Sequence, residues 1–280
     1  MSSSTIQTHT SVRVKHETLI TRRLRVVLTG DACTGKTALL KLANSISSST
    51  NYEFPRSYVP TTFPEWVSVL IRVPSTELPE GAPPTQVEMI VLDTPGSSVL
   101  NLRGDVAGGQ KLWASCQAAI FVFDVTSRDS LASVDKWASK VQSLCGNTGA
   151  ETISSSSTSM SGGSTLGTQG DMGIAKKPSP PFAVLVGTKA DLRGTDRAEV
   201  GVEDAKQLAA RLGPRLGIPT KGKSAPYFEV SAEHNVGKIK GEEALKTNNT
   251  SNSFVDIEKP FLAIAVQWAR HCLEEEQEEN

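Results

Sequence analysis

The glycine-rich run at residues 30 to 37 constrains this chain more than any other feature. It reads GDACTGKT, follows the apolar segment LRVVLT and precedes the helical pattern TALLKLANSI. Gly30 and Gly35 allow the backbone to wrap so that successive N–H groups, together with a helix N-terminus, converge on phosphate oxygens. Lys36 would neutralise the β- and γ-phosphates, and the Thr37 hydroxyl would coordinate magnesium. A strand, a phosphate-binding loop (P-loop) and a helix are therefore predicted in this order.

Apolar segments and helical patterns alternate along the rest of the chain. A last helical pattern places Ile257, Phe261, Ile264 and Trp268 on one stripe. Because strands and helices alternate and the strands are continuously apolar, we predict an α/β fold with a six-stranded, mostly parallel P-loop sheet and helices on both faces. The strands are predicted at residues 24 to 29, 66 to 73, 87 to 93, 118 to 125, 182 to 187 and 227 to 230.

One folded domain, residues 22 to 274, is predicted between two tails. Residues 1 to 21 form a disordered N-terminal tail, and residues 275 to 280 form an acidic C-terminal tail. Residues 146 to 180 are rich in Ser, Gly and Thr and cannot bury enough apolar surface to offset their ordering entropy. We therefore expect a disordered, low-complexity insertion there, and an enlarged, proline-rich hairpin at residues 74 to 86.

Charge and cysteine usage exclude several classes of protein. The 29 Lys and Arg residues nearly balance 30 Asp and Glu residues, which leaves no overall field to attract nucleic acid or an anionic membrane. The four cysteines form no CxxC pair and indicate neither a disulfide framework nor a zinc site. Ser2 replaces the glycine that myristoylation needs, and Cys272 is too far upstream for prenylation. We expect a cytoplasmic protein that has no lipid anchor and does not bind nucleic acid.

A second candidate motif for the phosphate side follows the segment VEMIVLD. Asp93 ends this predicted strand, and Thr94, Pro95 and Gly96 follow it. Asp93 would hold a magnesium-bound water, and the Gly96 N–H would contact the γ-phosphate. Pro95 removes only its own N–H, so the Gly96 donor remains available.

The segment FAVLVG leads into Thr188, Lys189, Ala190 and Asp191, a candidate site for the base. A carboxylate at Asp191 can accept from both N1–H and the 2-amino group of guanine. Adenine has an acceptor at N1 and no 2-amino group, so a carboxylate facing adenine would remain unpaired. The aliphatic stem of Lys189 can lie along the base. These residues favour guanine over adenine.

The four motifs together resemble those of the Ras superfamily of small GTPases, over residues 22 to 274. After the next strand, Ser231, Ala232 and Glu233 are similar to the family's SAK box, which implies that the Ala232 N–H meets guanine O6. In the segment SYVPTT, Thr61 matches the switch I threonine that binds magnesium and the γ-phosphate, and the adjacent Thr62 is the alternative. The resemblance implies binding of GTP, GDP and Mg²⁺, and GTP hydrolysis.

The resemblance also implies a set of site residues. Magnesium would be held by Thr37, Thr61 and Asp93, and catalysis would involve Lys36, Thr61, Gly96 and Ser97. The nucleotide would be bound by Gly30, Ala32, Cys33, Thr34, Gly35, Lys36, Thr37, Ala38, Thr61, Asp93, Gly96, Thr188, Lys189, Asp191, Ser231, Ala232 and Glu233.

Two departures from the family pattern concern hydrolysis. Ser97 stands where the family has a glutamine that orients the attacking water, and serine is too short to span the same gap. Ala32 replaces a glycine, so its methyl group crowds the approach to the γ-phosphate. We therefore expect weak intrinsic GTPase activity, which a GTPase-activating partner could raise by supplying an arginine.

A closer resemblance is to the Rab-like GTPases of the intraflagellar transport B complex. It rests on the segments FPRSYVPTT, KLWASC and EKPFLAIAVQWAR and on the enlarged hairpin. It implies a regulatory subunit found in the cytoplasm and in the cilium or flagellum and its base. Its partners would be a small β-sandwich subunit, other intraflagellar transport B proteins, and GTPase-activating and exchange factors.

Three alternatives remain open at this point. A conventional Rab-type switch for vesicle traffic fits the motifs, although the missing lipid anchor counts against it. A structural subunit that nucleotide only stabilises is compatible with Ser97. A P-loop kinase or ATPase is a third possibility, against which the guanine-type TKAD and SAE segments argue.

Overall fold

Six strands in the described part of the chain form one sheet. The computed structural model describes residues 18 to 96, 112 to 145, 182 to 216, 224 to 234 and 256 to 278. The strands are β1 (Ile20–Thr29), β2 (Glu65–Val73), β3 (Thr85–Asp93), β4 (Ala118–Asp124), β5 (Phe182–Thr188) and β6 (Tyr227–Glu229). Their order is β2-β3-β1-β4-β5-β6, with β2 antiparallel to β3 and every other neighbouring pair parallel.

In the described residues, four helices cover the two faces of this sheet. They are α1 (Lys36–Ser47), α2 (Arg128–Leu144), α3 (Val202–Leu216) and α4 (Lys259–Glu278). Apolar side chains of α1 and α4 join one buried cluster, and those of α2 and α3 join the other. Continuously apolar strands such as β4 and β5, buried at every position, are what a sheet covered on both faces requires. The predicted fold class is confirmed.

The first strand begins earlier than its apolar run. Residues 20 to 23 are mostly polar, yet their backbone pairs in parallel with residues 85 to 88 of β3. Ladder hydrogen bonds need no apolar side chain, so hydrophobic pattern alone placed the start of β1 four residues too late. The guanidinium of Arg22 also forms a bidentate ion pair with Glu276 on α4, with N–O distances of 2.8 and 2.9 Å.

The topology brings the predicted motifs to one edge of the sheet. In register, Leu28 of β1 lies beside Asp93 of β3, and Asp124 of β4 lies beside Thr188 of β5. Parallel strands all end at the same edge, so the loops that follow β1, β3 and β5 meet there. This edge is where a ligand of an open α/β sheet binds.

Some predictions fall on residues outside the described part of the chain. These are the insertion at residues 146 to 180, nearly all of the N-terminal tail, and Ser97. The last helix continues through residues 275 to 278 of the acidic tail. None of the helices in the described segments combines the length and the apolar character needed to cross a bilayer.

Candidate functional site

The P-loop joins β1 to α1 through two glycine positions that no other residue could occupy without strain. Gly30 has φ 150°, and a Cβ added to it would lie 2.1 Å from the Val122 carbonyl oxygen of β4. Gly35, directly before α1, has the left-handed φ of 82°. Cys33, at φ 62°, also has the left-handed backbone conformation, although it is not a glycine. The loop therefore turns sharply against β4 and leads directly into the N-terminus of α1.

Substitution of Gly30 by alanine should destabilise the fold. The added methyl group would overlap the Val122 carbonyl, and overpacking of this kind costs about 1 to 3 kcal/mol of unfolding free energy. Thermal unfolding should therefore start several degrees lower, since about 1 kcal/mol shifts the midpoint of such a domain by about 2 to 4 °C. Gly81→Ala is the matched control, because Gly81 also has a positive φ, 78°, but no atom within 4 Å of the added Cβ. Equal midpoints for the two variants would contradict the close approach.

Lys36 is a buried cation at the start of α1. Only 5% of the residue is exposed, and its Nζ donates to the backbone carbonyl of Asp31 at 2.6 Å. Burial lowers the pKa of Lys36 to about 8, against the opposing attraction of the Asp93 and Asp31 carboxylates. An ammonium group that is desolvated to this extent gains stability from an anion. The P-loop N–H groups beside it make phosphate the fitting anion.

The lowered pKa of Lys36 predicts how ligand affinity depends on pH. Below about pH 8 the free lysine is already charged, and a bound phosphate raises its pKa further. Above that pH, binding must first restore the proton. The affinity for GDP should therefore be level below pH 8 and fall towards pH 9, by at most about tenfold per pH unit. Titration calorimetry between pH 7 and 9 measures this, and an affinity that rises with pH would contradict the assignment.

Thr37, Thr61 and Asp93, the three predicted magnesium ligands, lie together. The Thr37 hydroxyl donates to Asp93 Oδ2 at 2.6 Å and lies 2.8 Å from the Thr61 hydroxyl. Asp93 is 2% exposed, burial raises its pKa, and its Oδ1 has no hydrogen-bond partner among the described residues. A buried carboxylate oxygen without a partner, together with two hydroxyls, is an oxygen set suited to magnesium. The hydroxyl in contact with Thr37 is that of Thr61, while Thr62 is exposed.

The segment after β3 packs directly against the P-loop. The Thr94 hydroxyl donates to the Leu28 carbonyl at 2.8 Å, and Thr94 is buried. A Cβ added to Gly96 would lie 2.3 Å from the Ala32 nitrogen and 2.4 Å from the Asp31 carbonyl oxygen. Only glycine permits this approach, which sets Gly96 beside the phosphate loop.

The predicted base loop is tied to the P-loop by a threonine. The Thr188 hydroxyl, at the end of β5, donates to the Thr34 carbonyl at 2.6 Å and lies 3.0 Å from the Phe123 carbonyl. Thr188 is buried. A hydroxyl at this position therefore joins the base loop, the P-loop and β4.

Lys189 has the left-handed φ of 58°, and its ammonium group pairs with Asp124. The Nζ lies 2.5 Å from Asp124 Oδ2, at the end of β4. Asp124 lies at the carboxyl end of the continuously apolar strand β4. This position is the one sequence feature that indicates Asp124 as a partner of Lys189. The ion pair fixes the lysine stem beside the ligand cavity.

Asp191 is exposed in a short 3-10 turn, Ala190–Leu192, whose neighbours are anchored. The Ala190 N–H donates to the Val230 carbonyl at 3.1 Å, which joins the two predicted base loops. Arg193 forms a bidentate ion pair with Glu229 of β6, at 2.9 and 2.6 Å. Burial opposes ionisation of Glu229, but its hydrogen bonds from Arg193 and Tyr227 outweigh that effect and lower its pKa. This ion pair between Arg193 and Glu229 stabilises the turn that carries Asp191.

The third base-side segment, residues 231 to 233, begins with a capping serine. Ser231 is buried, and its hydroxyl accepts from the His234 N–H at 3.0 Å. Ala232 is half-buried and Glu233 is exposed. The cap fixes the turn that presents the Ala232 N–H.

The comparison with protein families agrees with this arrangement of motifs. The sequence model of the Ras family matches residues 25 to 155, from β1 past the end of α2. The described strands and helices continue the same sheet beyond that match, through β5, β6 and α4. Over these residues the chain is similar to the Ras family.

Proteins similar to this chain include intraflagellar transport proteins and Rho-type GTP-binding proteins. The human intraflagellar transport protein 27 homolog is 30% identical over 119 residues, which cover 42% of this chain and 55% of that protein. Intraflagellar transport protein 27 of Chlamydomonas reinhardtii is 31% identical over 117 residues, or 42% and 50% of the two chains. The chain thus spans about half the length of these relatives. The GTP-binding protein rho4 of Schizosaccharomyces pombe is 26% identical over 214 residues, 76% of this chain and 79% of that protein.

A cavity of about 640 Å³ opens at the motif-bearing edge of the Ras-type sheet. Nine of the predicted site residues line it, and Asp93 lines an adjoining cavity of about 420 Å³ together with Thr37 and Thr61. As far as the described residues define the larger cavity, the base-side residues 188, 191 and 231 to 233 do not line it. The predicted residues that line it are Ala32, Cys33, Gly35, Lys36, Thr37, Ala38, Thr61, Gly96 and Lys189.

Two contributions to this site were not predicted from the sequence. The segment 52 to 59, between α1 and Thr61, lines the larger cavity, although the sequence assigned a ligand contact only to Thr61 in this region. Trp137 on α2 donates its indole N–H to the Asp31 carboxylate at 2.8 Å and so links α2 to the P-loop. The sequence marks Trp137 only as an apolar position of a helix, so this contact could not be predicted.

Proposed function

We propose that this chain is a member of the Ras family, binds GTP and GDP together with magnesium, and acts as a slowly hydrolysing nucleotide switch. The observation that carries the proposal is the cluster of Thr37, Thr61 and Asp93 beside the buried Lys36. In this cluster the P-loop, a carboxylate suited to magnesium and the switch I threonine are in contact. Loss of the γ-phosphate would release Thr61 and Gly96, which is the usual origin of switching in such folds.

In the proposed reaction, water attacks the γ-phosphate of GTP, and the protein mainly positions groups and neutralises charge. Lys36 would contact the β- and γ-phosphates, while P-loop N–H groups and the Gly96 N–H donate to phosphate oxygens. Thr37 and Thr61 would hold magnesium directly, with Asp93 nearby through a water. When bound there, magnesium would supply charge neutralisation at the phosphates. The bidentate contact of Asp191 with guanine N1–H and the 2-amino group would select GTP over ATP.

Hydrolysis without a partner should be slow. Ser97 stands at the position of the water-orienting glutamine, and Ala32 lines the cavity with its backbone nitrogen close to Gly96. A partner that supplies an arginine could raise the rate by about 10³ to 10⁵. Single-turnover hydrolysis by the purified chain, beside a glutamine-bearing Ras-family protein, tests this point. Matching rates would refute the assignment of Ser97.

We place the switch in intraflagellar transport, as a regulatory subunit that acts in the cytoplasm and in the cilium or flagellum and its base. The support is the similarity to the human and Chlamydomonas reinhardtii proteins named for that process. The proposed partners are a small β-sandwich subunit and other intraflagellar transport B proteins, with activating and exchange factors acting on the nucleotide state. Similarity to rho4 over three quarters of the chain supports a second candidate, a Rho-type GTP-binding switch outside that process.

Purification of the tagged full chain from its native source distinguishes these candidates. The bound nucleotide and the co-purifying proteins are identified by mass spectrometry, with parallel samples loaded with GDP or a GTP analogue. Guanine nucleotide together with intraflagellar transport proteins is the expected result. Rho-type regulators in their place would favour the second candidate, and association that ignores the nucleotide would favour a structural subunit over a switch.

A further inference from the structure

Arg56 lines the larger cavity, although it belongs to none of the four motifs. The cavity lining includes four cationic side chains, Lys36, Lys41, Arg56 and Lys189, and one carboxylate, Glu53. Lys36 donates to the Asp31 carbonyl, and Lys189 is paired with a carboxylate on β4. The Arg56 side chain, by contrast, makes no hydrogen bond or ion pair with any residue in the described part of the chain. It is exposed, so its guanidinium is available to a ligand of the cavity.

The segment that carries Arg56 is anchored on both sides. On its N-terminal side, Tyr52 packs against the buried cluster formed with α1 and α4. On its C-terminal side, Tyr58 neighbours Cys33 at the tip of the P-loop, and the Thr61 hydroxyl contacts Thr37. Arg56 lies between these anchors, two residues before Tyr58. Its place on the cavity wall therefore follows from how the segment is fixed over the phosphate loop.

We propose that Arg56 binds the phosphates of the nucleotide and strengthens the binding of GTP more than that of GDP. The inference rests on the proposed function, because it assigns a further residue to the same site. A guanidinium presents its N–H donors in a planar fork that matches phosphate oxygens and keeps its charge at every physiological pH. GTP carries one more phosphate and more negative charge than GDP, so one added cation attracts it more strongly.

The position of Arg56 also connects phosphate binding to switch I. Arg56 and Thr61 lie on one short segment, so a phosphate contact at Arg56 draws the same backbone towards Thr37 that the Thr61 contact does. A nucleotide with a γ-phosphate then holds the segment at two points. Arg56 is thus a residue through which the chain distinguishes its two nucleotide states.

The test compares Arg56→Ala, Arg56→Lys and the control Arg72→Ala in the full chain. Arg72 is exposed on β2, where its backbone lies in register with Gln86 of β3. It is near the end of β2 opposite to Glu65, which lines the smaller cavity. Dissociation constants for GDP and for a non-hydrolysable GTP analogue are measured with magnesium present. We expect Arg56→Ala to weaken analogue binding by about tenfold or more and GDP binding by clearly less, as loss of one charge-assisted hydrogen bond implies. Arg56→Lys should recover part of the loss, and Arg72→Ala should leave both constants unchanged.

The remaining outcomes overturn the inference in separable ways. If the wild-type chain binds nucleotide and Arg56→Ala binds both ligands as tightly, Arg56 makes no phosphate contact and the proposed function stands. Equal losses for GDP and the analogue would overturn the preference for the triphosphate. A wild-type chain that binds neither nucleotide would overturn the proposed function and the Arg56 inference together. Matching thermal unfolding midpoints for the variants exclude misfolding as the cause of any loss.

Discussion

Replacement of Lys36 by alanine lowers the affinity for GTP by about two to four orders of magnitude in our account. The ammonium group is the buried cation of the P-loop, and it would make charge-assisted hydrogen bonds to two phosphates. Each such bond contributes about 1.5 to 3 kcal/mol, and each 1.4 kcal/mol corresponds to a tenfold change in affinity. The dissociation constant of a fluorescent GTP analogue, measured by titration with magnesium present, checks the expected loss.

Lys206→Ala is the matched control for Lys36→Ala. Lys206 lies on the exposed surface of α3, where its ammonium group pairs with Glu203 at 2.8 Å. Surface pairs of this kind contribute little, so the control should bind GTP as the wild-type chain does. Circular dichroism spectra of both variants should match that of the wild type. If a folded Lys36→Ala variant kept wild-type affinity, the loop at residues 30 to 37 would not be the phosphate site.

Substitution of Asp191 by asparagine should remove most of the affinity for GTP and transfer it to the xanthine nucleotide. A carboxylate accepts from two donors of guanine, whereas an amide offers one acceptor and one donor. Xanthine has a 2-oxo group in place of the 2-amino group, so its edge matches the amide. Sites that hydrogen-bond a substrate reject analogues with the wrong pattern by about 10⁴ to 10⁵, so the loss for GTP should approach that range. Competition titrations with GTP and xanthosine triphosphate measure both effects.

Asp196→Asn provides the comparison for Asp191→Asn. Asp196 is exposed in the loop that follows the 3-10 turn, so it carries the same chemical change outside the proposed base site. The Asp196→Asn variant should prefer GTP over the xanthine nucleotide as strongly as the wild-type chain does. If both variants behaved alike, or if Asp191→Asn still preferred GTP over the xanthine nucleotide, the turn after β5 would not read the base.

Local sequence predicted the fold well, and on the phosphate side it named residues that the structure brings together. The run at residues 30 to 37 specifies its own turn, because the two glycines meet a backbone requirement within the loop. Likewise, buried strands such as β4 are continuously apolar, which hydrophobic pattern detects directly. The ambiguity between Thr61 and Thr62 had no answer in the sequence, because both are threonines. The contact of Thr61 with Thr37 across 24 positions supplies one.

Contacts between distant residues could not be predicted in the same way. Arg193 and Glu229 are separated by 36 positions, and each is a residue type common on any surface. Trp137 is 106 positions from its partner Asp31, and its helix pattern indicates only burial. Such pairs form because the sheet brings its strand ends together, which is a property of the tertiary fold. The contacts that hold the site residues in place are therefore visible only in the structure.

Parallel calorimetric titrations of the full chain with GTP and with ATP, in the presence of magnesium, test the central claim most directly. That claim is that the P-loop and the turn carrying Asp191 bind opposite ends of one guanine nucleotide. We predict saturable binding of GTP and a preference over ATP that approaches about 10⁴, as expected where the hydrogen-bonding pattern of a site and its ligand is mismatched. Equal affinity for ATP and GTP, or no binding of either, would contradict the account.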